Sequence, residues 1–281
     1  MNEYLKLIRI KQWIKNFLIF IPIICGNVLS YNNIIVTILG FFSFSFASSF
    51  IYIINDIKDI EKDKLHPRKK KRPLASGKIS KKRAIVISIL MLLGSLLLNY
   101  FTNMQLINSS LYLLIIYILT NILYSFGLKN IAIIDIVILT LGFVLRVYYG
   151  SFLIDIEVSN WLFLTVMSGA LFLGLGKRKK ELIQNKNVRK SLKDYNQEFL
   201  DKFQYTTLSM TLLFYSLWTM EKNIEYLPYT IPIVVIIFMR YCLDIEKQNE
   251  GDPVTIFYSD IFLLVTCILY AVIMLFVLVI L

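Results

Sequence analysis

The chain has 281 residues, of which 57% are hydrophobic and 17% charged, and its formal net charge is +11. A soluble domain carries roughly 45–50% apolar and about 25% charged residues, so a mean hydropathy of +0.65 excludes an ordinary soluble globule. The basic residues sit in short segments interleaved with carboxylates, which excludes nucleic acid as a partner and favours anionic headgroups or phosphorylated substrates.

The apolar residues fall into nine runs: 14–31, 34–54, 84–101, 106–127, 131–153, 159–176, 203–220, 227–243 and 261–281. Each is long enough to cross a hydrocarbon core of about 30 Å. The predicted fold class is all-α: a polytopic membrane protein of nine transmembrane helices, one domain over 1–281, with cytoplasmic loops at 55–83 and 177–202. Pro22 in the first run and Pro228 and Pro232 in the eighth are tolerable in a bundle, where neighbouring groups satisfy the freed carbonyls. No small-residue cleavage site follows the first run, so it reads as a span and not a removable signal.

Charge placement sets the orientation. Lys6, Arg9, Lys11, Lys15, twelve basic residues in 55–83, Lys129, nine in 177–202 and Lys247 share one side if nine helices alternate. Arg146 and Arg240 lie within runs, which leaves Lys222 on the far side. The positive-inside rule then puts the N-terminus and both long loops on the cytoplasmic face of the membrane. Cys25, Cys242 and Cys267 lie in apolar runs without paired spacing and read as small buried hydrophobes.

At the N-terminus, Gln12, Lys15 and Asn16 offer one polar face, with Lys15 as the preferred phosphate contact and Trp13 as an interfacial anchor. The second run ends in Asn55-Asp56-Ile57-Lys58-Asp59-Ile60-Glu61-Lys62-Asp63. On a continuing helix Asn55, Asp59 and Asp63, spaced by four, share a face. Stacked oxygen side chains repel one another unless a cation lies among them. Mg²⁺ prefers such ligands and completes its shell with water and substrate phosphates. Asp59 and Asp63 are the expected ligands, assisted by Asn55 or Asp56. A solvated acidic face balanced by Lys58, Lys62 and Lys64 is the plain alternative; a position where a membrane helix meets water favours the metal.

Lys69 to Arg72 follow, and supply cations for phosphate oxygens that a metal leaves uncovered. His66, the sole histidine, carries no catalytic assignment. Tyr124 and Lys129 sit at the membrane face before the fifth run and are phosphate-contact candidates. Asp135 and Arg146, eleven residues apart, lie about 20° from alignment on a helix, with Gly142 between them on the same face. Ionisable groups inside spans are functional candidates, a packed polar stripe being the alternative. Arg240 and Asp244 read as a structural pair. Lys177-Arg178-Lys179-Lys180 reads either as a topology anchor or as a cationic patch for phosphate.

The pattern NDxxDxxxD at 55–63 within NDIKDIEKDKLHPRKKKRPLASGKIS (55–80) resembles the first Asp-rich motif of the UbiA superfamily of intramembrane prenyltransferases. RIKQWIKN (9–16), YSFGLKNIAIIDIVILTLGFVLR (124–146) and GLGKRKKEL (174–182) narrow the resemblance to its decaprenyl-phosphate phosphoribosyltransferase branch. The resemblance implies a nine-helix fold and Mg²⁺ as cofactor. Ordinary members place a second Asp-rich motif after the sixth helix, where this chain has Lys177 to Glu181. A cationic stretch cannot ligate a second metal cluster, but Lys177 and Arg178 can hold a second phosphorylated substrate. The implied partners are 5-phosphoribosyl 1-diphosphate, a polyprenyl phosphate and the membrane; a homo-oligomer is compatible with the sequence. Arg189, Ser191 and Tyr195 in RKSLKDY resemble the corresponding family stretch.

The implied reaction transfers 5-phosphoribose to the polyprenyl phosphate oxygen and releases diphosphate. The acceptor is already anionic, so no dedicated general base is needed. Two rivals stand beside it: prenyl transfer from a prenyl diphosphate to a quinone, haem or lipid acceptor, and lipid or metabolite transport. The basic stretch at 177–180 argues against the first, and one-sided clustering of polar residues argues against the second.

Overall fold

A computed structural model describes residues 2–65, 69–105, 108–184, 190–247 and 252–279. Every regular element among the described residues is helical, as the apolar patterning requires. The α-helices are α1 (Glu3–Leu7), α2 (Ile21–Cys25), α3 (Tyr31–Lys58), α4 (Ile60–Leu65), α5 (Lys81–Asn103), α6 (Ser109–Phe126), α7 (Ile134–Ile154), α8 (Asn160–Gln184), α9 (Gln197–Glu221), α10 (Ile231–Lys247), α11 (Pro253–Ser259) and α12 (Ile261–Val279). Among the described residues six helical stretches are long and apolar enough to cross a membrane: α3, α5, α6, α7, Leu227–Lys247 and α12.

Polar side chains cap the starts of α3, α6 and α9. Ser30 accepts from the Asn33 amide, Asn108 from Leu111 at 2.8 Å and Asn196 from Phe199 at 2.7 Å. Each bond satisfies a backbone donor that the first helical turn leaves open.

The chain groups into two compact units, one of Met1–Ile23, Leu29–Gly127 and Leu145–Ile156, the other of Ile24–Val28, Leu128–Val144 and Glu157–Leu281. In the first, α3 packs most extensively on α5, and also on α6 and the N-terminal segment. The buried face of α3 carries Gly40, Ser43, Ser45, Ala47, Ser48 and Ser49, small residues that let helices approach closely in a lipid setting. In the second unit α8 packs along α9, and α10 lies on α9 and α12.

The first apolar run is not one α-helix. Ile10–Phe20 winds as a tight 3-10 helix, and α2 continues it to Cys25. Three residues per turn stack positions 13, 16 and 19 above each other, and Asn16 and Ile19 are buried. Asn16 therefore sides with Trp13 and Ile19, not with Gln12 and Lys15 as an α-helical reading requires.

Candidate functional site

In the first unit α3 ends at Lys58, the backbone turns at Asp59 (φ −97, ψ 11), and α4 begins at Ile60. The helical hydrogen bonding carries across the turn, since the Asp59 amide donates to the Asn55 carbonyl at 3.0 Å and the Asp63 amide to the Asp59 carbonyl at 2.8 Å. Asn55 and Asp59 are half-buried, whereas Asp56 and Asp63 are only 3% and 4% exposed. The apolar residues Ile53, Ile57, Ile60, Leu7, Leu74 and Ile79 cluster in this region. Burying two carboxylates there requires paired cations.

Those cations are arginines. Arg72 Nη1 donates to Asp56 Oδ1 at 3.0 Å and to Asp63 Oδ2 at 2.7 Å, so one nitrogen bridges two carboxylates. Arg9 also donates to Asp56 Oδ1. Its guanidinium lies over the Tyr52 ring, 4.8 Å from the centroid. Arg9 adopts a left-handed backbone (φ 53, ψ 48) between α1 and the 3-10 segment. For a residue with a Cβ this conformation costs about 1–3 kcal/mol. Arg9, in the sequence a topology charge at the head of RIKQWIKN, is thus a partner of the acidic motif. Its appearance in the quoted stretch RIKQWIKN was the available signal.

Lys69 stands in the short turn Lys69–Lys71 before Arg72. Lys58 of the motif turns away, donating to the Ser125 carbonyl at 2.9 Å and lying over the Phe126 ring. Among the described residues no three His, Cys, Asp or Glu side chains stand arranged to hold a metal ion. The donors at this corner are nonetheless all oxygens, and two carboxylates converge on one nitrogen. In kind they fit a hard divalent cation.

Deeper in the same unit Asn16 donates to Ser45 at 2.9 Å and accepts from Arg146 Nε at 2.7 Å. Arg146 also donates to the Tyr117 hydroxyl at 3.1 Å, and its guanidinium lies 5.0 Å from the Phe44 ring and 5.1 Å from the Tyr117 ring, which pack on each other at 4.3 Å. Trp13 donates its indole N–H to Ser49 at 3.0 Å. Gln12 and Lys15 are half-buried on the other side of the 3-10 segment. Tyr124 is half-buried in the last turns of α6.

In the second unit Asp135 and Arg178 are both 0% exposed and joined at 2.6 Å. Tyr195 donates its hydroxyl to Asp135 Oδ1 at 2.7 Å and accepts from the Ile133 amide at 2.6 Å. Ser191 completes the cluster, reaching Asp135 Oδ2 and the Lys129 carbonyl, each at 3.2 Å. Burial, then the Asp135 carboxylate, holds the Tyr195 phenol above its ordinary value despite the opposing Ile133 amide and Arg178. Ile133 itself has a φ of 68°, a rare state for a β-branched residue. The shared face expected for Asp135 and Arg146 is not used jointly: the two side chains serve separate polar clusters.

The four basic residues at 177–180 do not form a patch. Helix α8 runs on to Gln184, and four consecutive side chains on a helix fan through about 300°. Lys177 lies 3.8 Å from Asp252, Arg178 joins Asp135 and Glu181, Lys179 joins Asp201 and Glu246, and Lys180 donates to the Glu246 carbonyl. Burial works against the charge, but the contacts that Lys179 makes to the Asp201 and Glu246 carboxylates outweigh it and raise the Lys179 ammonium above its ordinary value. Arg240 engages Asp260 more closely than Asp244, which it meets at 3.7 Å. His66 and Arg189 lie outside the described residues.

The family model described as the UbiA prenyltransferase family matches residues 19–266. The chain is 30% identical to the decaprenyl-phosphate phosphoribosyltransferase of Mycolicibacterium smegmatis, covering 91% of this chain and 86% of the relative. It is also 30% identical to the decaprenyl-phosphate phosphoribosyltransferase of Corynebacterium glutamicum, over 91% of this chain and 80% of that one. Its fold is similar to that of a UbiA homolog from Archaeoglobus fulgidus bound to GPP and Mg²⁺, with a TM-score of 0.75 at 20% identity and 97% of each chain covered.

Proposed function

The chain belongs to the UbiA prenyltransferase family, and from that membership we propose that it transfers 5-phosphoribose from 5-phosphoribosyl 1-diphosphate to a polyprenyl phosphate, releasing diphosphate. The observation that carries this reading is the 30% identity, over 91% of the chain, to relatives named as decaprenyl-phosphate phosphoribosyltransferases. The carboxylates Asp56 and Asp63, brought together on Arg72 where α3 meets α4, support it from the structure. Nine crossings, with the basic segments on the cytoplasmic side, are the topology that goes with it.

In this reading Asp59 and Asp63, with Asp56 and Asn55, hold Mg²⁺ together with the donor's diphosphate. When bound, the metal stabilises charge on the departing diphosphate. Arg72 and Lys69 meet phosphate oxygens at the same corner, and Lys15 and Tyr124 are further contacts proposed from the sequence. Breaking the anomeric C–O bond leaves an oxocarbenium-like sugar, and a phosphate oxygen of the lipid closes on that carbon. Because the acceptor is anionic, no side chain has to take a proton. In the second unit Lys177 and Lys129 remain half-buried and are the cations proposed for phosphate contact. Arg178 is committed to Asp135.

The test gives purified protein labelled 5-phosphoribosyl 1-diphosphate, Mg²⁺ and a polyprenyl phosphate, and follows label into the lipid phase. Failure to form labelled lipid with any chain length overturns the reading. Formation of a prenylated acceptor from a prenyl diphosphate instead establishes the rival family chemistry.

A further inference from the structure

Asp56 Oδ1 accepts from two guanidinium groups that reach it from opposite sides in sequence, Arg9 and Arg72. Arg72 also holds Asp63 at 2.7 Å. Two buried carboxylates are thus balanced by two cations. Arg9 is held firmly in this place, with a left-handed backbone and its guanidinium stacked on Tyr52 at 4.8 Å.

A divalent cation arriving alone has to take the carboxylates from both arginines. That leaves two guanidinium groups beside a dication where little water can compensate. An anion arriving alone is placed against the carboxylates. A cation and a diphosphate arriving together avoid both penalties: the carboxylates turn to the metal, the guanidinium groups turn to phosphate oxygens, and the net charge of the corner changes little. Guanidinium forks bind phosphate in bidentate fashion, which suits the exchange.

We propose that Arg9 and Arg72 are the resting counterions of the acidic cluster and make divalent-metal binding conditional on a diphosphate, both guanidinium groups passing from carboxylate to phosphate when the two ligands bind. The inference rests on reading this corner as the metal–diphosphate site. Linkage makes the effect reciprocal, so the metal strengthens diphosphate binding by the same factor.

Equilibrium dialysis of the purified full-length protein against radiolabelled manganese(II), inorganic diphosphate, or both at matched free manganese tests the coupling. Each ligand alone binds weakly, and the pair binds tighter by roughly tenfold or more, within the range of ordinary coupling free energies. Arg9→Gln binds manganese alone more tightly than the wild type does, and the diphosphate enhancement shrinks. A merely structural role weakens both ligands instead. Arg9→Lys keeps the charge without the planar fork and retains part of the enhancement. Equal manganese affinity with and without diphosphate in the wild type overturns the inference while leaving the site reading intact. So does unchanged or weakened manganese binding in an Arg9→Gln protein that melts at the wild-type temperature. If Arg9→Gln fails to fold, the wild-type comparison still decides. Retention of neither ligand in any combination defeats the site reading itself.

Discussion

Arg146 donates its Nε–H to the side-chain oxygen of Asn16 at 2.7 Å, joining the 3-10 segment to α7 inside the first unit. Asn16 is fully buried, so its loss leaves a buried charged donor short of an acceptor. Asn16→Leu is expected to cost about 1–3 kcal/mol, the penalty for an unsatisfied buried group. Thermal unfolding in a single detergent measures it.

Asp59 marks the turn between α3 and α4 and is only half-buried, unlike Asp56 and Asp63. It is the least buried of the three aspartates of the motif. Asp59→Asn is expected to lower transfer to the lipid phase by at least about a hundredfold, the scale of losing one electrostatic group at a reacting centre. The melting temperature is expected to change little. Full activity in a folded Asp59→Asn protein removes the metal assignment.

The parts legible in the sequence were those fixed by local chemistry. Apolar run length announced an all-helical chain with membrane-spanning helices, and the run of carboxylates after the second apolar stretch announced an acidic corner, though the two that converge on Arg72 are Asp56 and Asp63. What sequence did not disclose depended on backbone winding or on distant partners. Three residues per turn moved Asn16 away from Gln12 and Lys15. The continuation of α8 to Gln184 scattered Lys177, Arg178 and Lys179 among separate carboxylates and left Lys180 on the Glu246 backbone carbonyl. Arg9 meets Asp56 across 47 positions, and no spacing rule spans that distance. Asp135 and Arg146 illustrate the same limit: a shared helix face does not determine which neighbours each residue meets.

The Tyr195–Asp135 bond gives the second unit an alkaline sensitivity. The folded phenol titrates above its ordinary value of 10.0 because burial, first, and Asp135, second, disfavour the phenolate. A group whose folded value is raised contributes stability that is present below the unfolded value and lost as pH rises through the folded one. Unfolding midpoints are therefore expected to fall once pH passes about 10. Lys179, also raised in the fold, adds a loss in the same direction. Tyr195→Phe is expected to lower stability at neutral pH and to flatten the alkaline fall. Parallel slopes for wild type and variant in pH-dependent melting refute the assignment.

Two glycines test the packing with the same substitution and opposite signs. A Cβ at Gly150 would lie 2.1 Å from the Ile19 carbonyl oxygen and 2.9 Å from its carbon, backbone atoms that cannot swing aside. Gly150→Ala must push α7 away from the 3-10 segment that carries Asn16. The expected cost is about 1–3 kcal/mol or more, as for other overpacked sites. A Cβ at Gly169 meets Thr211 Cγ2 at 3.5 Å, an ordinary contact. There the helix-propensity difference between Gly and Ala acts alone, and Gly169→Ala is expected to stabilise by about 0.5–1 kcal/mol. The two effects separate further in function. Crowding at Gly150 also disturbs the Asn16–Arg146 bond, so transfer activity falls along with the melting temperature, while Gly169→Ala keeps its activity. Equal melting temperatures for the two variants contradict the close approach of Gly150 to Ile19.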